Sequence, residues 1–133
     1  MEGKILGLGH VGLFISDISR TRAFYTQVLH FEEDFSYVGD NGDKVTFLKL
    51  GDCIIEAVEL NDPMPENCCC NGFFNHLALK VENIEAVREN LLTKNIAFEE
   101  EHITYCSKCY PNGAKWILFH GPDGERLEIT EVL

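Results

Sequence analysis

An internal repeat is the feature of this sequence that most restricts its fold. Residues 9–17 read Gly-His-Val-Gly-Leu-Phe-Ile-Ser-Asp, and residues 75–83 read Asn-His-Leu-Ala-Leu-Lys-Val-Glu-Asn. In both segments a histidine opens a stretch in which every second residue is apolar, and a short polar pair closes it. This pattern predicts a strand that leads into a helix, twice. We expect His10 and His76 to lie on the strand face opposite the apolar residues.

The residues that follow each copy extend the repeat to a whole module. Asp17 is a suitable N-cap for the first helix, and turn-forming Gly, Asn and Asp residues separate the later strands. The first half predicts a strand, a helix and three strands at residues 9–15, 18–29, 33–38, 44–50 and 53–60. The second half predicts the same order at residues 74–81, 84–94, 97–104, 114–120 and 125–132. Both halves are therefore βαβββ modules.

The sequence predicts an α+β fold in one domain spanning residues 1–133. Module one covers residues 5–60 and module two covers residues 73–133. The stretch between them, residues 61–72, contains two prolines, has no apolar period and is predicted to be a linker. Because a single helix covers only one face of a four-stranded sheet, we expect the modules to pair into a curved, cupped mixed sheet with a shared interior.

Composition restricts the partners. The 133 residues carry a net charge of −11 with only 11 Lys and Arg, a balance that disfavours nucleic acid and anionic membrane surfaces. Residues 5–15 are broken by glycines and lack a small-residue cleavage site, and no segment reaches the roughly 18 apolar residues of a membrane span. We expect a cytoplasmic protein that acts on a small molecule.

Two glutamates complete a candidate metal site. Glu56 and Glu128 occupy matching places in the last strand of each module, among aliphatic residues where an unpaired carboxylate is costly to bury. Together with His10 and His76 they would satisfy one another by binding one divalent metal ion. Such nitrogen and oxygen donors suit Zn²⁺, Ni²⁺, Co²⁺ or Mn²⁺, with Fe²⁺ ranked behind them.

Three parts of the chain carry a resemblance to a known family. The opening repeat, the segment Phe-Tyr-Thr-Gln-Val-Leu at 24–29 and the closing Phe-His-Gly-Pro-Asp-Gly-Glu-Arg-Leu-Glu-Ile at 119–129 resemble the vicinal oxygen chelate superfamily of glyoxalases, bleomycin resistance proteins and extradiol dioxygenases. The resemblance covers nearly the whole chain and implies a homodimer. It implies four metal ligands, namely His10, Glu56, His76 and Glu128. A His/Glu/His/Glu set is most similar to glyoxalase I, whereas the dioxygenases use two histidines and one carboxylate.

The activity that this resemblance implies is a metal-dependent lyase or isomerase of the lactoylglutathione lyase type. Such an enzyme moves a proton between adjacent carbons of a hydroxy-carbonyl compound or thiol adduct through an enediolate. Glu128 is the expected catalytic base, and Glu56 is a ligand and second catalytic carboxylate. Phe14 stands where glyoxalase I usually has an arginine that binds glutathione. A different thiol adduct, an acyl-CoA or a sugar-like compound is therefore the expected substrate.

Several alternatives stay open. They are an epimerase of an acyl-CoA or sugar-like substrate, a non-enzymatic binder of the bleomycin-resistance kind, and an extradiol dioxygenase. The last predicts dependence on Fe²⁺ and O₂. Candidate substrate-pocket residues are Phe14, His102, Trp116 and His120.

The six cysteines are expected to be reduced thiols, because a chain of this size with a good core does not need disulfides. Cys106 and Cys109 have the spacing of half a zinc site, which one of Cys68, Cys69 and Cys70 could complete. The alternative is that all of these are ordinary loop cysteines.

Overall fold

The computed structural model describes residues 3, 6, 9–62 and 76–133. The chain divides into two compact units, Met1–Cys68 and Cys69–Leu133. Each unit contains a mixed sheet of four strands. In the described part of the chain, no helix has the length and apolar character needed to span a membrane.

Unit one has a strand, a helical segment and three more strands. Its sheet order is β1-β4-β3-β2, in which β1 runs parallel to β4 and the other neighbours are antiparallel. The α-helix α1 passes directly into one π-helical turn, Phe24–Val28. The elements are β1 Val11–Ile15, α1 Ile18–Ala23, β2 Glu32–Val38, β3 Lys44–Leu50 and β4 Cys53–Glu59.

Unit two repeats this order and topology. Its sheet order is β5-β8-β7-β6, again with the first pair parallel and the others antiparallel. The elements are β5 Leu77–Lys80, α2 Ile84–Thr93, β6 Thr104–Cys106, β7 Ala114–His120 and β8 Arg126–Val132. The predicted α+β fold of two βαβββ modules is confirmed.

The alternating apolar residues of each sheet form the core of their unit. In unit one, Ile15 and Ala57 cluster with Ile18 of α1, and Leu13 packs against them. In unit two, Ile84 and Leu91 of α2 are buried together with apolar residues of the strands, which are Leu79, Ile117, Phe119, Leu127 and Ile129. Because side chains alternate across a strand, the opposite face of each sheet carries the other set of residues.

Both helices begin in the same way. Asp17 and Asn83 are the N-caps, and each side chain accepts a hydrogen bond from a backbone N–H three residues on. A glutamate from the last strand of the unit reaches the same helix start. Glu59 accepts from the backbone N–H of Ile18 at 2.7 Å, and Glu131 accepts from that of Ile84 at 3.0 Å. These carboxylates satisfy backbone donors that have no partner inside the helix.

One predicted strand was wrong in extent, and one predicted helix differs in type over its last turn. The strand expected at residues 97–104 is reduced to an isolated bridge between Phe98 and Phe119, and β6 starts at Thr104. The Glu100 carboxylate explains the interruption, because it accepts the backbone N–H of Leu118 at 3.1 Å in place of a backbone carbonyl. In unit one, the helix expected at residues 18–29 is helical to Val28, α-helical up to Ala23 and π-helical from Phe24.

The predicted linker lies mostly outside the described residues. Of residues 61–72, only Asn61 and Asp62 are described, and the first residues of the strand predicted at 74–81 are likewise outside. The module boundaries drawn from the sequence stay predictions.

Candidate metal centre

A histidine and a glutamate meet in unit one. His10 directly precedes β1, and Glu56 lies in the middle of β4 beside Gly12 in the parallel register. Since His10 and Gly12 are two residues apart, they share a strand face, which is also the face of Glu56. His10 Nε2 lies 3.2 Å from Glu56 Oε2. The predicted orientation of His10, away from the buried residues of its strand, is confirmed.

Unit two builds the same pair in the same register. His76 directly precedes β5, and Glu128 of β8 lies beside Ala78, which is two residues after the histidine. His76 Nε2 lies 3.3 Å from Glu128 Oε2. The repeated sequence therefore produces a repeated arrangement of one imidazole and one carboxylate.

Glu128 is the more buried of the two glutamates. Its side chain is 13% exposed, against 26% for Glu56. Burial raises the pKa of the Glu128 carboxyl, and the charges of His76 and Arg126 counteract part of that rise. A carboxyl group with a raised pKa accepts a proton more readily than an ordinary surface glutamate, which is what a catalytic base requires.

Each of the two pairs offers donor types that divalent metals bind. Imidazole nitrogen and carboxylate oxygen are ligands of Zn²⁺ and other borderline divalent ions. Among residues 9–62 and 76–133, no three His, Cys, Asp or Glu side chains gather as a metal-holding group. Each unit pairs one histidine with one glutamate, His10 with Glu56 and His76 with Glu128.

An aromatic surface adjoins the pair in unit one. Phe47 of β3 lies opposite Glu56 in the strand register, and its ring meets the His10 imidazole edge-on at 5.8 Å between centroids. Phe35 of β2 continues this surface, with its ring centroid 6.4 Å from that of Phe47. The predicted pocket residue Phe14 is on the same strand face as His10 and is 53% exposed. Phe35 and Phe47 were not foreseen, because the strand register that places them beside His10 is not visible in the sequence.

Two other predicted pocket residues lie on the Glu128 face of sheet two. Trp116 is half-buried, pairs with Thr130, and is two residues from Leu118, which pairs with Glu128. His120 lies on the same face, but its ring nitrogens contact the Gly124 carbonyl at 3.0 Å and Glu99 Oε1 at 3.3 Å. Glu99 also binds Arg126, so His120 belongs to an ion-pair cluster that the sequence did not reveal.

His102 does not fit its prediction. It was expected on a strand next to that of His120, but it lies in a bend before β6 and its side chain is 85% exposed. Its Nε2 atom lies 3.9 Å from Glu101 Oε1.

The sequence matches the family described as the glyoxalase/bleomycin resistance protein/dioxygenase superfamily over residues 9–108. The chain belongs to this superfamily. It is 29% identical over 125 residues to the uncharacterised protein YwbC of Bacillus subtilis, covering 93% of this chain and 96% of YwbC. The structure of a glyoxalase family protein from Enterococcus faecalis is 30% identical with a TM-score of 0.76, covering 95% of this chain and 98% of the other.

A more distant superfamily structure confirms the fold. The fosfomycin resistance protein of Listeria monocytogenes, solved in complex with Mn(II) and sulfate, is 19% identical with a TM-score of 0.70. The match covers 98% of this chain and 95% of the Listeria chain. At this level of identity the likeness establishes the superfamily fold and not a shared substrate.

Proposed function

We propose that this superfamily member is a divalent-metal-dependent lyase or isomerase with His10, Glu56, His76 and Glu128 as its metal ligands. One observation carries the proposal: both units present a histidine and a glutamate in the same strand register, with nitrogen to oxygen distances of 3.2 and 3.3 Å. A fold can keep one such pair as a surface contact. Two pairs in equivalent places support a common function, which we propose is metal binding.

The proposed reaction moves a proton between neighbouring carbons of the substrate. When bound, the metal stabilises negative charge that develops on two adjacent substrate oxygens. The Glu128 carboxylate removes a proton from one substrate carbon and returns it to the next, a role that its burial and raised pKa support. Glu56 is the second carboxylate that can hold this proton.

The metal is proposed to be one divalent ion, Zn²⁺, Ni²⁺, Co²⁺ or Mn²⁺. Imidazole and carboxylate donors support all of these. The Mn(II) in the Listeria fosfomycin resistance protein is consistent with a divalent ion on this fold.

The proposed substrate carries an apolar group. Phe14 and Phe35 are exposed on the strand face that also bears His10, and Phe47 contacts the imidazole. Such a surface favours an apolar or aromatic substituent over a second carboxylate, and Phe14 replaces the arginine that would hold glutathione. We therefore propose a hydroxy-carbonyl compound, or a thiol adduct other than that of glutathione, acted on by a homodimer.

The test begins with metal analysis of three proteins purified without added metal. These are the wild type and two double variants, one with His10→Ala and Glu56→Ala and the other with His76→Ala and Glu128→Ala. If the four side chains bind one ion, the wild type holds about one metal per chain and both double variants lose it entirely. His102→Ala is the matched control, because this exposed histidine is not a proposed ligand.

Two results would contradict the ligand set. If each double variant lost half of the metal, each pair would hold its own ion. If none of the proteins bound metal, the proposal of a non-enzymatic small-molecule binder would replace that of an enzyme.

If the wild type binds metal, it is then screened in D₂O for proton exchange on hemithioacetals, acyl-CoA epimers and hydroxy-ketones. Uptake of O₂ with a catechol would instead identify an extradiol dioxygenase.

A further inference from the structure

Two cysteines outside the proposed metal centre lie side by side in unit two. Cys106 is the last residue of β6, and Cys109 follows in the turn that leads towards β7. Both are free and half-buried, and their side chains form a hydrogen bond with each other. The spacing of the two residues is Cys-x-x-Cys, which in other proteins supports thiol–disulfide chemistry as well as metal binding.

The two sulfurs have unlike surroundings. The Cys106 sulfur accepts hydrogen bonds from the Cys109 thiol and from the backbone N–H groups of Lys108 and Cys109, which together lower the pKa of Cys106. The pKa of Cys109 is raised, first because its proton is held in the bond to Cys106 and second by burial. Cys106 is therefore the nucleophile of the pair, and Cys109 stays protonated until the second step.

The backbone packs closely around Cys106. Gly113 has φ +95°, and a Cβ atom there would come within 2.9 Å of the Cys106 carbonyl oxygen. The next residue, Ala114, pairs with Cys106 across the β6–β7 ladder. The chain thus folds closely back over the Cys106 backbone, and in the same turn the Lys108 and Cys109 N–H groups bond to the Cys106 sulfur.

We propose that Cys106 and Cys109 are a redox-active dithiol, which a low-molecular-weight disulfide converts into an intramolecular disulfide. A zinc site is the less favoured use of the pair, because in the described part of the chain no third Cys, His, Asp or Glu joins it as a metal-holding group. The proposal does not depend on the four proposed metal ligands, so either one can fail while the other stands.

The reaction has two exchange steps. The Cys106 thiolate attacks one sulfur of the small disulfide, forming a mixed disulfide and releasing one thiolate. Cys109 then loses its proton and attacks the Cys106 sulfur, which forms the internal disulfide and releases the second thiolate. The two protons lost by the protein are taken up by the two released thiolates. The protein is oxidised by two electrons, and the small disulfide is reduced to two thiols.

The experiment uses the full chain with Cys68, Cys69 and Cys70 changed to Ser, so that Cys53 is the internal control. Cys53 is half-buried and burial raises its pKa, which makes it a poor nucleophile. After treatment with oxidised glutathione at neutral pH, intact mass should fall by two hydrogens and peptide mapping should join Cys106 to Cys109. Addition of excess dithiothreitol should reverse both changes.

Two further variants separate the roles of the sulfurs. Cys109→Ser should stop at a glutathione adduct on Cys106. Cys106→Ser should react at Cys109 roughly tenfold more slowly. Equal rates in the two variants, or linkage of either cysteine to Cys53, would overturn the proposal. Zinc bound to the wild-type pair and lost from both variants would also overturn it, in favour of a metal site. If circular dichroism shows that a variant does not fold, the test is the peptide mapping of the chain that keeps both Cys106 and Cys109. A disulfide between these two residues then supports the proposal, and its absence overturns it.

Discussion

His10 and His76 each contact a glutamate, but the two glutamates differ. Glu128 is the more buried of the two carboxylates, and its pKa is raised by that burial, with Glu100 adding repulsion. A base has to bind the proton firmly enough to take it and loosely enough to return it, so a pKa raised from its ordinary value is an advantage. This difference supports the proposal that Glu128 performs the main proton transfer.

We expect Glu128→Gln to lower kcat by about 10²- to 10⁴-fold on any substrate that shows proton exchange, because an amide cannot accept the proton. Stopped-time assays of deuterium incorporation would measure the loss. Glu101→Gln is the control and should keep wild-type kcat, since that side chain is highly exposed and is not a proposed ligand. Full activity in the Glu128 variant would assign the base elsewhere.

At the scale of elements, each unit anchors its helix by a cap and by a carboxylate from the last strand. The two caps differ in backbone conformation. Asp17 is extended with φ −146°, whereas Asn83 is left-handed with φ +54°. Asparagine tolerates the left-handed region better than alanine does, because alanine lacks a polar group that can bond locally.

The conformational difference predicts different effects of Ala and Gly at the two caps. Asn83→Ala should lower the free energy of unfolding by about 1–2 kcal/mol, since it loses the cap and places alanine at positive φ. Asn83→Gly should lower the free energy of unfolding by only about a few tenths of a kcal/mol, because glycine accepts that conformation. Urea unfolding of both variants measures the difference.

Asp17 provides the matched comparison for these caps. Its backbone is extended, so alanine is not strained there and the gap between Asp17→Ala and Asp17→Gly should be smaller than the gap at position 83. An equal gap at both positions would mean that backbone strain at Asn83 has no energetic effect.

An ion pair also joins α2 to β7. Lys115 Nζ lies 2.7 Å from Glu85 Oε1, and this hydrogen bond lowers the pKa of Glu85 below its ordinary value of 4.5. A carboxyl with a lowered folded-state pKa stabilises the fold above the unfolded-state value, and the contribution disappears as pH falls through the folded-state value. Glu85→Gln should therefore destabilise the protein at pH 7.

The pH dependence of this variant is the decisive measurement. The difference in urea midpoint between wild type and Glu85→Gln should shrink as the pH is lowered from 7 to below about 4. Glu89→Gln is a control on the same helix, since Glu89 forms its ion pair with the adjacent Arg88 of that helix and not with a strand. A difference that is unchanged at low pH would show that Glu85 does not act through its charge.

At the scale of the whole molecule, each of the two units carries two of the four proposed metal ligands, and the units have equal topology. An ion that binds the folded protein and not the unfolded chain stabilises it by mass action. With free metal at 100 times its Kd, the free energy of unfolding should rise by about 2.7 kcal/mol. For a chain of this size that corresponds to roughly 10 °C in Tm.

Thermal unfolding with and without a chelator measures this rise. The double variant His76→Ala and Glu128→Ala should show no shift with metal. Its Tm in the presence of metal should equal its own Tm in the presence of the chelator. His102→Ala should keep the full shift. A shift that persists in the double variant would place the stabilising metal at other residues.

Sequence alone was sufficient for the parts of this protein that depend on local pattern. Alternating apolar residues, the Asp17 cap and turn-forming glycines predicted the two βαβββ modules, and the repeat predicted which face His10 occupies, because these properties are set by neighbours along the chain. Only the tertiary structure decided what depends on partners far apart in sequence. The strand register set Phe47 against His10, the Glu100 carboxylate interrupted the strand expected at 97–104, and the fold of the chain after β6 brought two backbone N–H groups to the Cys106 sulfur. These contacts join side chains and backbone through geometry that no local pattern records, and they are where the chemistry of the protein is proposed to lie.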